Sequence, residues 1–224
     1  MTPLKNIVII PARGGSKRLP KKNLLQLAGK TLLAHSIEYA LKHVWIDKIF
    51  VSTDDEAIKI EAQKLGVEVV ERPADLSTDF EPVITALQHV LDQMDAKPEN
   101  VILLQPTNPL RPEKLLEKSF AIYMKEGYDS LMTVTPLIKK LGKIENHKFT
   151  SINYKLGQRS QDLDPLYFEN GLLYIIKAEV IRGGSLLSNN NYAFITEHPF
   201  GKIDIDTEED LLQAEFYLSK FDGK

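Results

Sequence analysis

Cysteine is absent from all 224 residues, which excludes disulfides, thiolate metal sites and a cysteine nucleophile. Long apolar runs are missing too. No stretch is long enough to cross a bilayer, and the opening residues lack the apolar core of a secretory signal, so a cytoplasmic chain with no membrane partner is expected. Charge of one sign is not in excess: 28 basic against 31 acidic residues leave a formal net charge of −3. A nucleic-acid partner is therefore not expected, since such domains are usually strongly basic. The five histidines show no metal-ligand spacing, and the single tryptophan, Trp45, reads as packing at a helix end. Two glycine signatures are also lacking. Gly29-Lys30-Thr31 looks like the tail of a P-loop, but Leu24 stands where its first glycine belongs. Gly14-Gly15 is followed by large residues, so it is not the spaced-glycine dinucleotide fingerprint.

What is present begins with Ile7-Val8-Ile9-Ile10, a buried-strand run that ends in Pro11-Ala12-Arg13-Gly14-Gly15-Ser16-Lys17-Arg18-Leu19-Pro20-Lys21-Lys22-Asn23. Glycine amides beyond a strand's carboxyl end can cradle an anion. Arg13, Lys17, Arg18, Lys21 and Lys22 supply the counter-charge, and a phosphate-bearing ligand suits them.

The first half then alternates strand and helix. Strands are expected at Lys5–Ile10, Lys48–Ser52, Val67–Val70, Val101–Leu104 and Ser130–Thr135. Helices are expected at Thr31–His43, from the Thr53-Asp54-Asp55-Glu56 opening to Leu65, at Glu81–Met94, and up to about Lys125 with Pro112 in the first turn. The helix at 31–43 has Leu32, Leu33, Ser36, Ile37, Ala40 and Leu41 along one side. This order implies an α/β fold with a doubly wound, mostly parallel sheet. From about Pro136 to Pro165 the periodicity fails; Lys143–Ile152 is a candidate hairpin, and so long an excursion implies a functional or partner-binding element. Gly171–Ile176 and Tyr192–Ile195 return to β character, and Thr207 caps a final helix to about Lys220. The chain reads as one domain, residues 1–224, with an insertion at about 136–165.

Near the end stands Lys202-Ile203-Asp204-Ile205-Asp206-Thr207. Strand alternation puts both aspartates on one face. Two readings are open: a hard-oxygen Mg²⁺ site completed by substrate phosphates, or a surface charge beside a helix cap. The Arg72-Pro73-Ala74-Asp75-Leu76-Ser77-Thr78-Asp79 segment fits either a ribose or base contact or an ordinary polar loop. Gln105, Thr107, Asn108 and Arg111 lie beyond the fourth strand, where parallel sheets place ligands. Arg159, Gln161, Tyr167, Glu169 and Asn170 are candidates to gather around an anionic polar substrate.

Taken in order, these motifs resemble the acylneuraminate cytidylyltransferases, the CMP-sialic acid synthetases. The likeness covers residues 11–23, Val51-Ser52-Thr53-Asp54, Arg72-Pro73-Ala74, Leu76 to Asp79, Gln105 to Arg111, Asn170-Gly171 and Asp204 to Thr207. It implies a Rossmann-like nucleotidyltransferase fold that joins CTP to a 2-keto-3-deoxy acid sugar of nine carbons. By that resemblance Ala12, Arg13, Gly15, Ser16, Lys17, Asn23, Arg72, Ser77 and Asp79 bind the nucleotide. Gln105, Thr107, Arg111, Arg159, Gln161, Tyr167 and Asn170 face the sugar, and Asp204 and Asp206 hold Mg²⁺. Arg13, Lys17, Lys22 and the two aspartates are then the catalytic set. A homodimer, with the 136–165 excursion reaching the partner, is likewise implied. Many relatives carry a double arginine where this chain has Arg159-Ser160, and an arginine where it has Glu169 before Asn-Gly. These departures leave legionaminate and pseudaminate open beside N-acetylneuraminate. The sister enzymes for 3-deoxy-manno-octulosonate and a non-catalytic nucleotide sensor are the alternative readings.

Overall fold

A computed structural model describes residues 4–221. Its elements are β1 (Asn6–Pro11), β2 (Gln26–Leu27), β3 (Lys30–Thr31), α1 (Leu32–Leu41), β4 (Lys48–Thr53), α2 (Glu56–Lys64), β5 (Glu68–Glu71), α3 (Val83–Asp92) and β6 (Asn100–Leu103). They continue with α4 (Leu115–Glu126), β7 (Ser130–Leu137), β8 (Gly142–Glu145), β9 (Lys148–Ser151), β10 (Leu166–Lys177), α5 (Ala178–Arg182), β11 (Asn191–Ile195) and α6 (Glu208–Phe221).

Seven strands form one sheet in the order β11-β7-β10-β6-β1-β4-β5. Both faces are covered, and the sequence of β1 shows why. Val8 and Ile10 join one core cluster while Ile7 and Ile9 join the other, and all four are fully buried. The first cluster includes residues of α1, α2 and α4; the second includes residues of α3 and α5. From β1 the chain winds outward to β4 and β5, then crosses back to place β6 on β1's other side. The crevice at that reversal, beyond the carboxyl ends of β1 and β6, is where a doubly wound sheet receives ligands.

The fold is α/β, doubly wound and mostly parallel, and one strand breaks the rule. β10 runs antiparallel to both β6 and β7. The cause is the connection: the excursion after β7 carries no crossover helix, and Leu166 returns directly opposite Leu137. Within that excursion β8 and β9 pair as a separate hairpin, turned by Asn146 and His147 at φ 50° and 63°.

Local signals behave as chemistry requires. Thr31 accepts from the Ala34 amide and Asp55 from the Ile58 amide, capping α1 and α2. Gly66, at φ 78°, ends α2 in the left-handed region. Trp45 stacks on Phe120 with centroids 4.1 Å apart.

Three expectations need correction. Leu41 lies off the buried stripe of α1 and is half exposed, whereas Tyr39 is buried. Pro112 precedes α4 instead of opening it; its carbonyl accepts the Leu115 amide and the Tyr39 hydroxyl. Residues 203–205 have no regular assignment, Asp206 lies in a bend, and the segment joins no ladder. Ile205 donates to the Thr107 carbonyl at 2.8 Å, which is enough to fix the alternation: Ile203 and Ile205 are buried, and the aspartates face outward.

Candidate active site

Three loops converge at the carboxyl ends of β1, β4 and β5. The loop after β1 is braced from below and beside. The Ala12 amide donates to the Ser52 carbonyl at 2.9 Å, and the Gly14 amide donates to Asp54 at 2.9 Å. A side chain at Gly14 would sit 2.7 Å from the Asp55 Cβ, so glycine is needed there for close approach. Ser16 donates its amide to the Gly14 carbonyl, and buried Asn23 donates from Nδ2 to the Arg13 carbonyl at 2.9 Å. Gly15 stands open, with nothing near its missing side chain.

The cations of this loop face two different acids. Arg13 and Lys17 meet Asp79 at 2.8 and 2.6 Å, and these contacts hold the Asp79 carboxyl below the ordinary range, the Lys17 hydrogen bond most of all. Arg18 and Lys22 both meet Asp206 at 2.6 Å. The opening loop and the late aspartates are thus one constellation, although they are 184 and 188 residues apart along the chain.

A cleft of about 450 Å³ opens beside Asp206, lined by Gln105, Thr107, Asn108, Phe168, Glu169, Asn170, Gly171, Tyr174, Gly201, Ile203 and Asp204. Asp204 has a solvent-open edge. Even so, the protein packed around it raises its carboxyl above the ordinary range, with a further push from Asp206. A hydrogen bond from Thr107 works in the opposite direction. Tyr174 donates its hydroxyl to Glu169, and burial followed by that contact raises the Tyr174 pKa. Gly171 sits at φ 69° where a Cβ would lie 2.5 Å from the Asn108 Oδ1 and 2.9 Å from the Gln105 Oε1.

A model for the family described as "Cytidylyltransferase" matches residues 7–219. The chain belongs to that family. Among curated relatives of this cytidylyltransferase, CMP-N,N'-diacetyllegionaminic acid synthase of Legionella pneumophila is 35% identical, over 92% of this chain and 93% of its own. Pseudaminic acid cytidylyltransferase of Campylobacter jejuni is 31% identical, over 93% and 94%. N-acylneuraminate cytidylyltransferase of Streptococcus agalactiae is 34% identical over 94% of this chain, which spans only 52% of that relative. The chain therefore covers about half the length of some relatives and nearly all of others. A solved CMP:2-keto-3-deoxy-manno-octonic acid synthetase complexed with CTP shares the fold, with a TM-score of 0.71 at 19% identity, covering 96% of this chain and 99% of that one.

Not every residue expected in the cytidylyltransferase site arrives there. Gln105 and Thr107 line the cleft, and Asn170 does so with its side chain already engaged: Thr133 and the Leu172 amide donate to its Oδ1, and its Nδ2 donates to Thr135. Arg159, Gln161 and Tyr167 do not line it; Arg159 closes on Asp162 at 2.8 and 3.0 Å. Arg111 turns inward, donating to the Leu172 carbonyl, the Ser36 hydroxyl and the Gln105 carbonyl, and so corrects the expectation that it meets a ligand in this cleft. Arg72 is buried and donates twice to Ser52, at 3.0 and 2.7 Å, with burial lowering its pKa. Ser77 donates its hydroxyl to the Pro73 carbonyl.

Two positions carry more than the sequence conveyed. Asn108 donates to the Asn170 and Ile203 carbonyls at 3.0 and 2.8 Å, tying the loop after β6 to both walls of the cleft. Arg18 shares Asp206 with Lys22, and only the density of positive charge in its loop signalled a role.

The donor set fits a magnesium ion of a particular kind. Asp204 and Asp206 are hard oxygen donors that both line the cleft, and among the described residues no group of three or more His, Cys, Asp or Glu could cage a metal. Mg²⁺ commonly takes one or two carboxylates and completes its shell with water and substrate phosphates.

Proposed function

We propose that this chain activates an acidic nine-carbon sugar with CTP, giving the CMP-sugar and pyrophosphate. The observation that carries the reading is the double contact of Asp206 with Lys22 and Arg18. It joins a phosphate-type loop directly to a carboxylate pair that lines the cleft. The curated relatives named for legionaminic, pseudaminic and N-acylneuraminic acids support the substrate class.

In this reading the sugar's anomeric hydroxyl attacks the α-phosphorus of CTP. The bond from that phosphorus to the bridging oxygen breaks, and pyrophosphate departs with the electron pair. The hydroxyl proton leaves toward the carboxylate side of the cleft. Such a displacement needs positioning and charge neutralisation more than a covalent intermediate. Arg13, Lys17 and Lys22 neutralise the leaving group, and the amides about Gly15 and Ser16 lie along the triphosphate. Binding of CTP exchanges Asp79 for phosphate oxygens at Arg13 and Lys17. Asp204 and Asp206 hold Mg²⁺, which when bound supplies positive charge to the phosphate oxygens. Gln105, Thr107 and the segment about Asn170 orient the sugar.

The same reading includes a homodimer. Ile138, Ile144, Phe149, Ile152 and Leu156 are exposed along the 136–165 excursion, and a second copy of the chain is the partner that covers them. Arg159, which lies in the same excursion, then faces the partner's cleft instead of its own.

The direct test is pyrophosphate release from CTP with a panel of acid sugars. Release with at least one nine-carbon acid and Mg²⁺ is expected. Folded protein that releases none with any sugar contradicts the proposal.

A further inference from the structure

A second cavity, of about 650 Å³, lies between the end of α1, the approach to α4 and the His198–Phe200 turn, and shares no lining residue with the cleft. It shares Tyr39, Lys42, Arg111 and Phe200 with a neighbouring cavity of about 340 Å³. Arg111 is the unusual member. Its side chain is buried, its partners are two carbonyls and a hydroxyl, and it makes no ion pair among the described residues. A buried cation without a counter-ion is costly. The Tyr39 ring, 5.7 Å from the guanidinium carbon, offsets part of that cost. Burial still draws the Arg111 pKa down to about 10, with Tyr39 opposing the shift.

The surroundings deepen the deficit of negative charge. Lys42, Lys114 and Lys118 also line the larger cavity and are exposed; among the described residues they form no ion pair, and Glu113 is the one carboxylate in that lining. Three of Arg111's five N–H donors are used, so two remain.

We infer that this cavity binds a small phosphate-bearing anion, held by Arg111 with Lys114 and Lys118. Arginine's planar fork matches phosphate oxygens, and lysines add point charges at the rim. A multiply charged phosphate suits four cations set against one acid better than a single carboxylate does. The site is placed to be felt in the cleft, because the same guanidinium holds the carbonyls of Gln105 and Leu172 at 2.8 and 2.6 Å. It stands independently of the activity proposed above.

The experiment titrates inorganic pyrophosphate into the ¹⁵N-labelled full chain without divalent metal, at matched ionic strength, and follows amide shifts. One variant, Lys17→Ala with Arg18→Ala, weakens the opening loop. The other, Lys114→Gln with Lys118→Gln, changes two exposed residues and leaves the fold intact. The loop variant is expected to keep saturable shifts at residues 111, 113–118 and at Leu172. The lysine variant should weaken them roughly tenfold or more. Shifts confined to the opening loop, unchanged affinity in the lysine variant, or a non-saturating drift matched by chloride would each overturn the inference.

Discussion

Asp206 is neutralised by two cations from one distant loop, and that pairing makes it the most informative residue to change. Asp206→Asn keeps the shape but removes the charge. Turnover of CTP should fall about 10²–10³-fold, the scale set by losing one preorganised electrostatic partner. The melting temperature should fall modestly, because Arg18 and the carboxylate are partly solvated while Lys22, only 14% exposed, loses its partner. Steady-state kinetics and a thermal melt check the two halves separately. Gly171 makes the opposite kind of prediction. Gly171→Ala meets both a left-handed backbone and a 2.5 Å contact with Asn108, so it should lose about 1–3 kcal/mol in urea unfolding. It should also raise the KM of the sugar, since Gln105 must give way.

At the scale of elements, the loop after β6 is fastened by Asn108, which is buried and donates to carbonyls on two other segments. Asn108→Ala leaves both carbonyls without that donor. A loss of about 2–4 kcal/mol is expected in denaturant unfolding, with the unfolding slope unchanged. This fastening explains what could be read in advance and what could not. The strand-loop unit at 7–23 and the alternation at 203–206 are local, so composition and period were enough to place them. The fate of a guanidinium is not local. Arg111 follows a ligand-facing loop, yet turns back because Ser36 and Leu172, distant in sequence, offer acceptors. Asn170 likewise lines the cleft while its amide is consumed by Thr133 and Thr135 on β7. The direction of β10 was equally hidden, because it depends on how the aperiodic excursion returns to the sheet.

At the scale of the whole molecule, the excursion carries the proposed assembly. Ile144 and Phe149 lie on the β8–β9 hairpin and are more than half exposed. Ile144→Asp with Phe149→Asp should convert a dimer into a monomer in sedimentation experiments while leaving the main sheet folded. A wild-type chain that sediments as a monomer at high concentration would contradict the dimer.

The proposed activity requires one joint site formed by the opening loop and the late aspartates. Calorimetric binding of CTP with and without Mg²⁺, to the wild type and to an Asp204→Asn, Asp206→Asn double variant, tests this directly. The prediction is that Mg²⁺ tightens CTP binding to the wild type and that the double variant loses this gain. Equal tightening by Mg²⁺ in both proteins would contradict it.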